Sequence, residues 1–131
     1  MAVAYVATLL AFVGIDFVWL SLAADRLYRP ILANILVEGF RFAPAAAFYL
    51  IYAAGLVVFA VRPGLAEDSL RRAALTGAFF GFCAYAVYDL TNQATLRDWA
   101  TSLTLADLAW GTVLSAVSAA IGFTASRAIG R

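Results

Sequence analysis

Asp16, Asp89 and Asp107 are carboxylates set in stretches of chain that are otherwise apolar. A charged side chain near the centre of a bilayer costs about 2.5–3.5 kcal/mol on insertion scales, so such residues pair, titrate or face a cavity. Groups able to donate hydrogen bonds recur beside them. Asp16 and Trp19 are three residues apart, as are Asp107 and Trp110, so each pair shares a helix face. Tyr49 and Tyr52 repeat that spacing, and Tyr85, Asp89 and Asn92 fall four and three apart in one stripe. Phenolic O–H, indole N–H and amide N–H all donate to a carboxylate. Such donors hold a buried carboxylate ionised, while desolvation favours a retained proton. Either way the chemistry is that of a site for a cation, a proton or a polar head group. The same residues also have a structural meaning, because Asp–Tyr and Asp–Trp bonds tie transmembrane helices together at roughly 0.6 kcal/mol each on average. Asp107 taken alone fits a helix start, with Thr104 or Asp107 capping the fourth helix.

The elements that must position these groups follow from hydropathy. Apolar stretches occur at 3–23, 43–61, 73–92 and 105–126. Each runs for about 20 residues, or ~30 Å of helix, the thickness of a bilayer's hydrocarbon core. Strict two-residue alternation is absent, so helices fit better than a transmembrane barrel. Hydrophobic residues make up 65% and charged residues 13% of the chain. A soluble domain holds about 45–50% and about 25%. The mean hydropathy of +0.90 agrees. The expected fold is therefore all-α, one membrane domain over residues 1–131. It is a four-helix transmembrane bundle with a short amphipathic interfacial helix between the first and second spans. That helix is expected between Asp25 and Phe42, where Leu27, Tyr28, Ile31, Leu32, Ile35 and Leu36 recur at three- and four-residue spacing among charges. The first stretch lacks a basic lead-in and an A-x-A site, so it reads as a retained span and not a signal peptide. Pro63-Gly64 marks a turn before the third span, and Glu67 and Asp68 are expected to begin that span. Trp99 is a candidate interface anchor.

If successive helices alternate in direction, Asp16, Asp89 and Asp107 all lie toward the membrane face that carries the first and third connections, and Tyr49 and Tyr52 enter from the same side. The two D-x-x-W pairs occur in helices of opposite direction, the pattern of an inverted repeat. Gly77, Gly81, Gly111 and Ser115 read as helix-packing faces. Phe79, Phe80 and Phe82 read as lipid-facing or packing residues.

Other chemistries are excluded or unsupported. The chain has no His, the commonest general base and metal ligand. Its nine basic residues are all Arg and form no run, so no nucleic-acid partner is expected. No cofactor and no metal are expected. Cys83, the single cysteine, is expected in the core. Both termini share a membrane side with the second connection. That side carries Arg62, Arg71, Arg72, Arg127 and Arg131, against Arg26, Arg29, Arg41 and Arg97 opposite. The bias points to cytoplasmic termini.

Several segments together resemble the DUF2177 family of small bacterial membrane proteins. They are Asp16-Phe-Val-Trp19-Leu20, Tyr28, Phe48-Tyr49-Leu-Ile-Tyr52, Tyr88-Asp89-Leu90-Thr91-Asn92, Ala94-Thr95-Leu96-Arg97-Asp98-Trp99 and Asp107-Leu-Ala-Trp110-Gly111. The resemblance spans nearly the whole chain, and Tyr-Asp-Leu-Thr-Asn with its Asp-Trp sequel is its most specific part. It implies a polytopic protein of the bacterial inner membrane. The family is defined as a domain of unknown function, so the resemblance brings no activity.

Three functions compete. The leading expectation is a module that binds or transports a small ligand, ion or lipid head group, using Asp16, Trp19, Tyr49, Tyr52, Tyr85, Asp89, Asn92, Asp107 and Trp110. The second is a membrane-embedded enzyme acting on lipid through its aspartates. The third is an accessory subunit of a larger membrane complex. The expected partners are the lipid bilayer, a small-molecule or lipid ligand, and a second copy or a larger assembly.

Overall fold

The computed structural model describes residues 1–33 and 41–130, and every regular element among them is helical. Helix α1 spans Ala2–Leu32, α2 Phe42–Ala66, α3 Leu70–Thr95 and α4 Thr101–Ile129, and each is long and apolar enough to cross a membrane. The shortest has 25 residues. At about 1.5 Å per residue that exceeds a ~30 Å hydrocarbon core, so the helix ends reach headgroup depth. Leu10, Phe17, Ile51, Phe59, Phe79 and Val87 are exposed on the outer surface. An apolar exterior on this scale would aggregate in water, whereas lipid solvates it.

Small residues set the inner faces. On α1, Ala4, Thr8, Phe12 and Asp16 are buried at four-residue spacing. They lie along α4, which runs antiparallel, so Thr8 sits beneath Gly122 while Asp16 reaches Trp110. Helices α3 and α4 form the most extensive contact in the molecule. Gly77, Gly81, Gly111 and Ser115 are the close-packing residues expected of them. A Cβ on Gly77 would lie 2.8 Å from the Ala119 Cβ and 2.9 Å from the Ser115 carbonyl oxygen. One on Gly81 would run into the Ser115 side chain and the Gly111 carbonyl, and one on Gly111 into the Tyr85 ring.

The turn between α2 and α3 differs from expectation. Glu67 and Asp68 lie before α3, not in it, and Ser69 caps the helix by accepting the Arg72 N–H at 3.0 Å. Asp68 takes φ of 49° there. Arg72–Glu67 and Arg127–Asp68 ion pairs, at 3.2 and 3.1 Å, brace this exposed end. Pairs of this kind contribute less than about 1 kcal/mol.

Both α1 and α2 widen for one turn, at Ala24–Tyr28 and Val57–Val61. The Arg29 N–H donates to the Ala24 carbonyl and the Arg62 N–H to the Val57 carbonyl, each five residues back. An Arg-Pro pair follows each wide turn. Proline has no N–H, and its ring crowds the carbonyl four residues earlier. An extra residue in the preceding turn moves that carbonyl aside, and the helix continues as a π-bulge. The consequence is rotational, because one inserted residue turns everything downstream by about 100°. Asp16 and Tyr28 are twelve residues apart. In an unbroken α-helix they would diverge by about 120°, and the bulge brings them within about 20°. Tyr28 therefore faces inward.

This geometry makes a prediction. Tyr28→Phe should cost about 1 kcal/mol in the natural background, the scale of a strong interhelical hydrogen bond. In a Pro30→Ala background, where the turn can close to regular α-helix, the same substitution should cost almost nothing. Unfolding titrations in detergent measure both, and equal costs in the two backgrounds would contradict the assignment.

The interfacial helix expected after the first span is not confirmed. Its first part, 25–32, continues α1, and 34–40 lies outside the described residues. Cys83 is exposed on the lipid side, not in the core. Lipid and protein core are equally apolar, so hydropathy does not separate the two. Helix α4 begins at Thr101 with Ala100 as its cap residue. Asp107 is therefore in the second turn, and neither it nor Thr104 caps the helix. Thr104 instead accepts from the Trp99 indole at 2.8 Å and donates to Gln93 Oε1 at 2.6 Å, bracing the α3–α4 connection.

Candidate functional site

The first half of α2, Phe42–Leu56, packs its backbone along α1. The second half, 57–66, packs into α3 and α4. Helix α2 thus diverges from α3 and α4 toward its N-terminal end, and a cavity of about 720 Å³ opens in the gap. Small-molecule sites measure about 300–1,000 Å³. All four helices line it. α1 supplies Asp16 and Tyr28, α2 Phe48 and Tyr52, α3 Tyr85 and Tyr88, and α4 Asp107 and Trp110. Arg29 stands at its rim, bound to Asp25 at 2.9 Å.

The two D-x-x-W units meet here. The indoles of Trp19 and Trp110 stack with centroids 4.6 Å apart and planes 11° from parallel. Trp110 donates its Nε1–H to Asp16 Oδ1 at 3.0 Å, and the Tyr49 hydroxyl donates to Asp16 Oδ2 at 2.6 Å. Trp19 donates to the Tyr28 hydroxyl at 2.9 Å, which in turn donates to Asp107 Oδ1 at 2.5 Å. Asp16 is thus served directly by one tyrosine and one tryptophan, and Asp107 directly by Tyr28 and, through it, by Trp19. Tyr28 stood in the segment expected to be interfacial. Its place in the site depends on the π-bulge, which spacing alone does not reveal.

Asp89 is fully buried, and neither of its oxygens accepts a hydroxyl or N–H among the described residues. Its carboxyl instead meets that of Asp107. Asp89 is not a wall of the cavity, and Asp107 stands between the two. The Tyr52 hydroxyl is bonded to Ser115 at 2.7 Å, and its ring meets Tyr85 edge-on at 6.1 Å. Asn92 is half-buried and lies outside the cavity wall. Trp19 and Tyr49 brace the wall without forming its surface. The structure therefore gathers Asp16, Trp19, Tyr49, Tyr52, Tyr85, Asp89, Asp107 and Trp110 in one half of the bundle, adds Tyr28, Phe48 and Tyr88, and leaves Asn92 apart. Among the described residues no group of three His, Cys, Asp or Glu is placed to hold a metal ion.

The hydrogen bonds offset only part of what an ionised carboxylate costs in a membrane. Each neutral donor recovers about 0.6 kcal/mol in a membrane setting. Two of them on Asp16 would leave most of the roughly 2.5–3.5 kcal/mol cost of an ionised carboxylate standing. The described ion pairs involve Asp25, Glu67 and Asp68, and none involves Asp16, Asp89 or Asp107.

Four long apolar helices around a cavity of carboxylates and aromatic rings make this a multi-pass integral membrane protein. Residues 1–124 match the family model described as "Predicted membrane protein (DUF2177)", and the chain belongs to that family. Comparison with curated proteins and with solved structures gave no match.

Proposed function

We propose that the protein binds a small amphipathic ligand in this cavity and passes it between the membrane and the side bearing the first and third connections. The single observation that carries this reading is the cavity itself, a space of ligand size with aromatic walls and two carboxylates, Asp16 and Asp107, on its surface. Rings held by one another and by hydrogen bonds make a preformed wall. The apolar part of the ligand would lie on Phe48, Tyr52 and Trp110, and its polar end on Asp16, Asp107 and Tyr28. The arginine bias supports cytoplasmic termini, which would put the cavity in the opposite half of the membrane. We assign the chain to a bacterial inner membrane on the strength of its sequence resemblance.

Ala84 lines the cavity and is no part of the polar network. Ala84→Phe should fill the space while leaving the carboxylates in place. Native mass spectrometry of protein purified in mild detergent should show a small-molecule adduct on the natural protein and at least about tenfold less on the variant. An adduct of equal occupancy on both, or none on the natural protein, would sink the proposal.

A further inference from the structure

We infer that the ligand is a lipophilic organic cation, and that it exchanges with a proton shared between Asp89 and Asp107. This rests on the ligand-binding reading above. Asp89 has no donor for either oxygen among the described residues, is fully buried, and faces the carboxyl of Asp107. Two carboxyls in contact at low dielectric cannot both be charged unless a cation joins them, so in the empty site they hold one proton between them. Asp107 forms the cavity wall and Asp89 lies behind it, so the pair's charge is felt from the cavity through Asp107.

Among the described residues the titratable groups facing the pair are hydroxyls and a carboxyl, not cations. Tyr28 and Asp16 face it from α1, Tyr85 and Tyr88 from α3, and Tyr49 of α2 stands beyond Asp16. The nearest cation on the cavity, Arg29, is engaged by Asp25. The rings of Trp110, Tyr85 and Tyr52 line the same space, and aromatic rings attract cations. An anion would meet carboxylates on two walls.

The exchange balances. A cation entering against Asp107 stabilises the doubly ionised pair, and the shared proton leaves to water at the cavity mouth. One positive charge enters and one departs, so the charge of the occupied site equals that of the empty one.

The experiment uses the full chain in detergent and three phenyl-bearing probes: the near-isosteric ions tetraphenylphosphonium and tetraphenylborate, and the neutral, slightly smaller triphenylphosphine oxide. Tryptophan fluorescence in a Trp99→Phe background, where only the Trp19–Trp110 stack emits, reports binding, and a pH indicator in weakly buffered solution reports protons. The expected result is preferential binding of tetraphenylphosphonium with one proton released per cation, and an affinity rising about tenfold per pH unit while the pair remains protonated. Asp89→Asn should bind the cation with no proton release, and Asp89→Glu should restore the release. Cation binding by the natural protein without proton release would overturn the exchange. So would undiminished release in Asp89→Asn. Preference for the borate or the oxide would overturn the cation assignment while leaving a ligand cavity in place. Failure of all three probes to bind would also overturn it, with the ligand reading then decided separately by the co-purifying adduct.

Discussion

Gly81→Ala is expected to destabilise the protein by about 1–3 kcal/mol, the usual cost of overpacking a close interior contact. The added methyl would enter the space of the Ser115 side chain and the Gly111 carbonyl, where α3 and α4 approach most tightly. Backbone cannot step aside as a flexible side-chain end can, so the helices must separate. Tyr85 and Tyr88 ride on α3 just beyond this point, and the separation should loosen the cavity wall as well. Gly14→Ala is the matched control. A Cβ at Gly14 meets nothing within 4 Å, and alanine is the better helix former. It should be neutral or slightly stabilising. Unfolding of each variant in a graded detergent titration gives the comparison. Similar midpoints for the two variants would show that the α3–α4 contact is not the constraint described.

The second large effect is expected at Asp16. Alanine there removes the acceptor of the Tyr49 hydroxyl and the Trp110 indole together. The loss should be about 1–2 kcal/mol, since each such bond averages ~0.6 and reaches ~1.7 kcal/mol. Asparagine is the informative partner. Its amide oxygen can accept from Trp110 while its NH₂ donates to the Tyr49 hydroxyl, so the hydrogen bonds persist and only the charge is lost. Asp16→Asn should therefore keep most of the stability that Asp16→Ala loses. Both should weaken binding of tetraphenylphosphonium at least about tenfold. If asparagine binds the cation as well as aspartate, Asp16 is a structural acceptor and nothing more. The pair thus separates the structural meaning of the carboxylate from the functional one.

The sequence by itself determined the membrane class and the four helices. Burial in lipid demands about 20 apolar residues per crossing, and that signal is local. It also determined which residues share a face within one helix, so Asp16 with Trp19 and Asp107 with Trp110 were legible from spacing of three. The small-residue faces of α3 and α4 were legible too, because close helix approach in lipid requires glycine, alanine or serine wherever it occurs. Three features were decided only by tertiary structure. Tyr28 enters the site because the helix continues through Arg29-Pro30 as a π-bulge, whereas the local pattern fits an ending equally well. Asp89 meets Asp107 instead of a hydrogen-bond donor, since the α3–α4 packing sets which side chains face each other, and Asn92, three residues on in the same stripe, falls outside the cavity wall. The cavity itself exists because the first half of α2 follows α1 while its second half follows α3 and α4. Periodicity records a helix's faces but not its neighbours, and the divergence of one helix from two others is written in contacts between residues far apart in the chain.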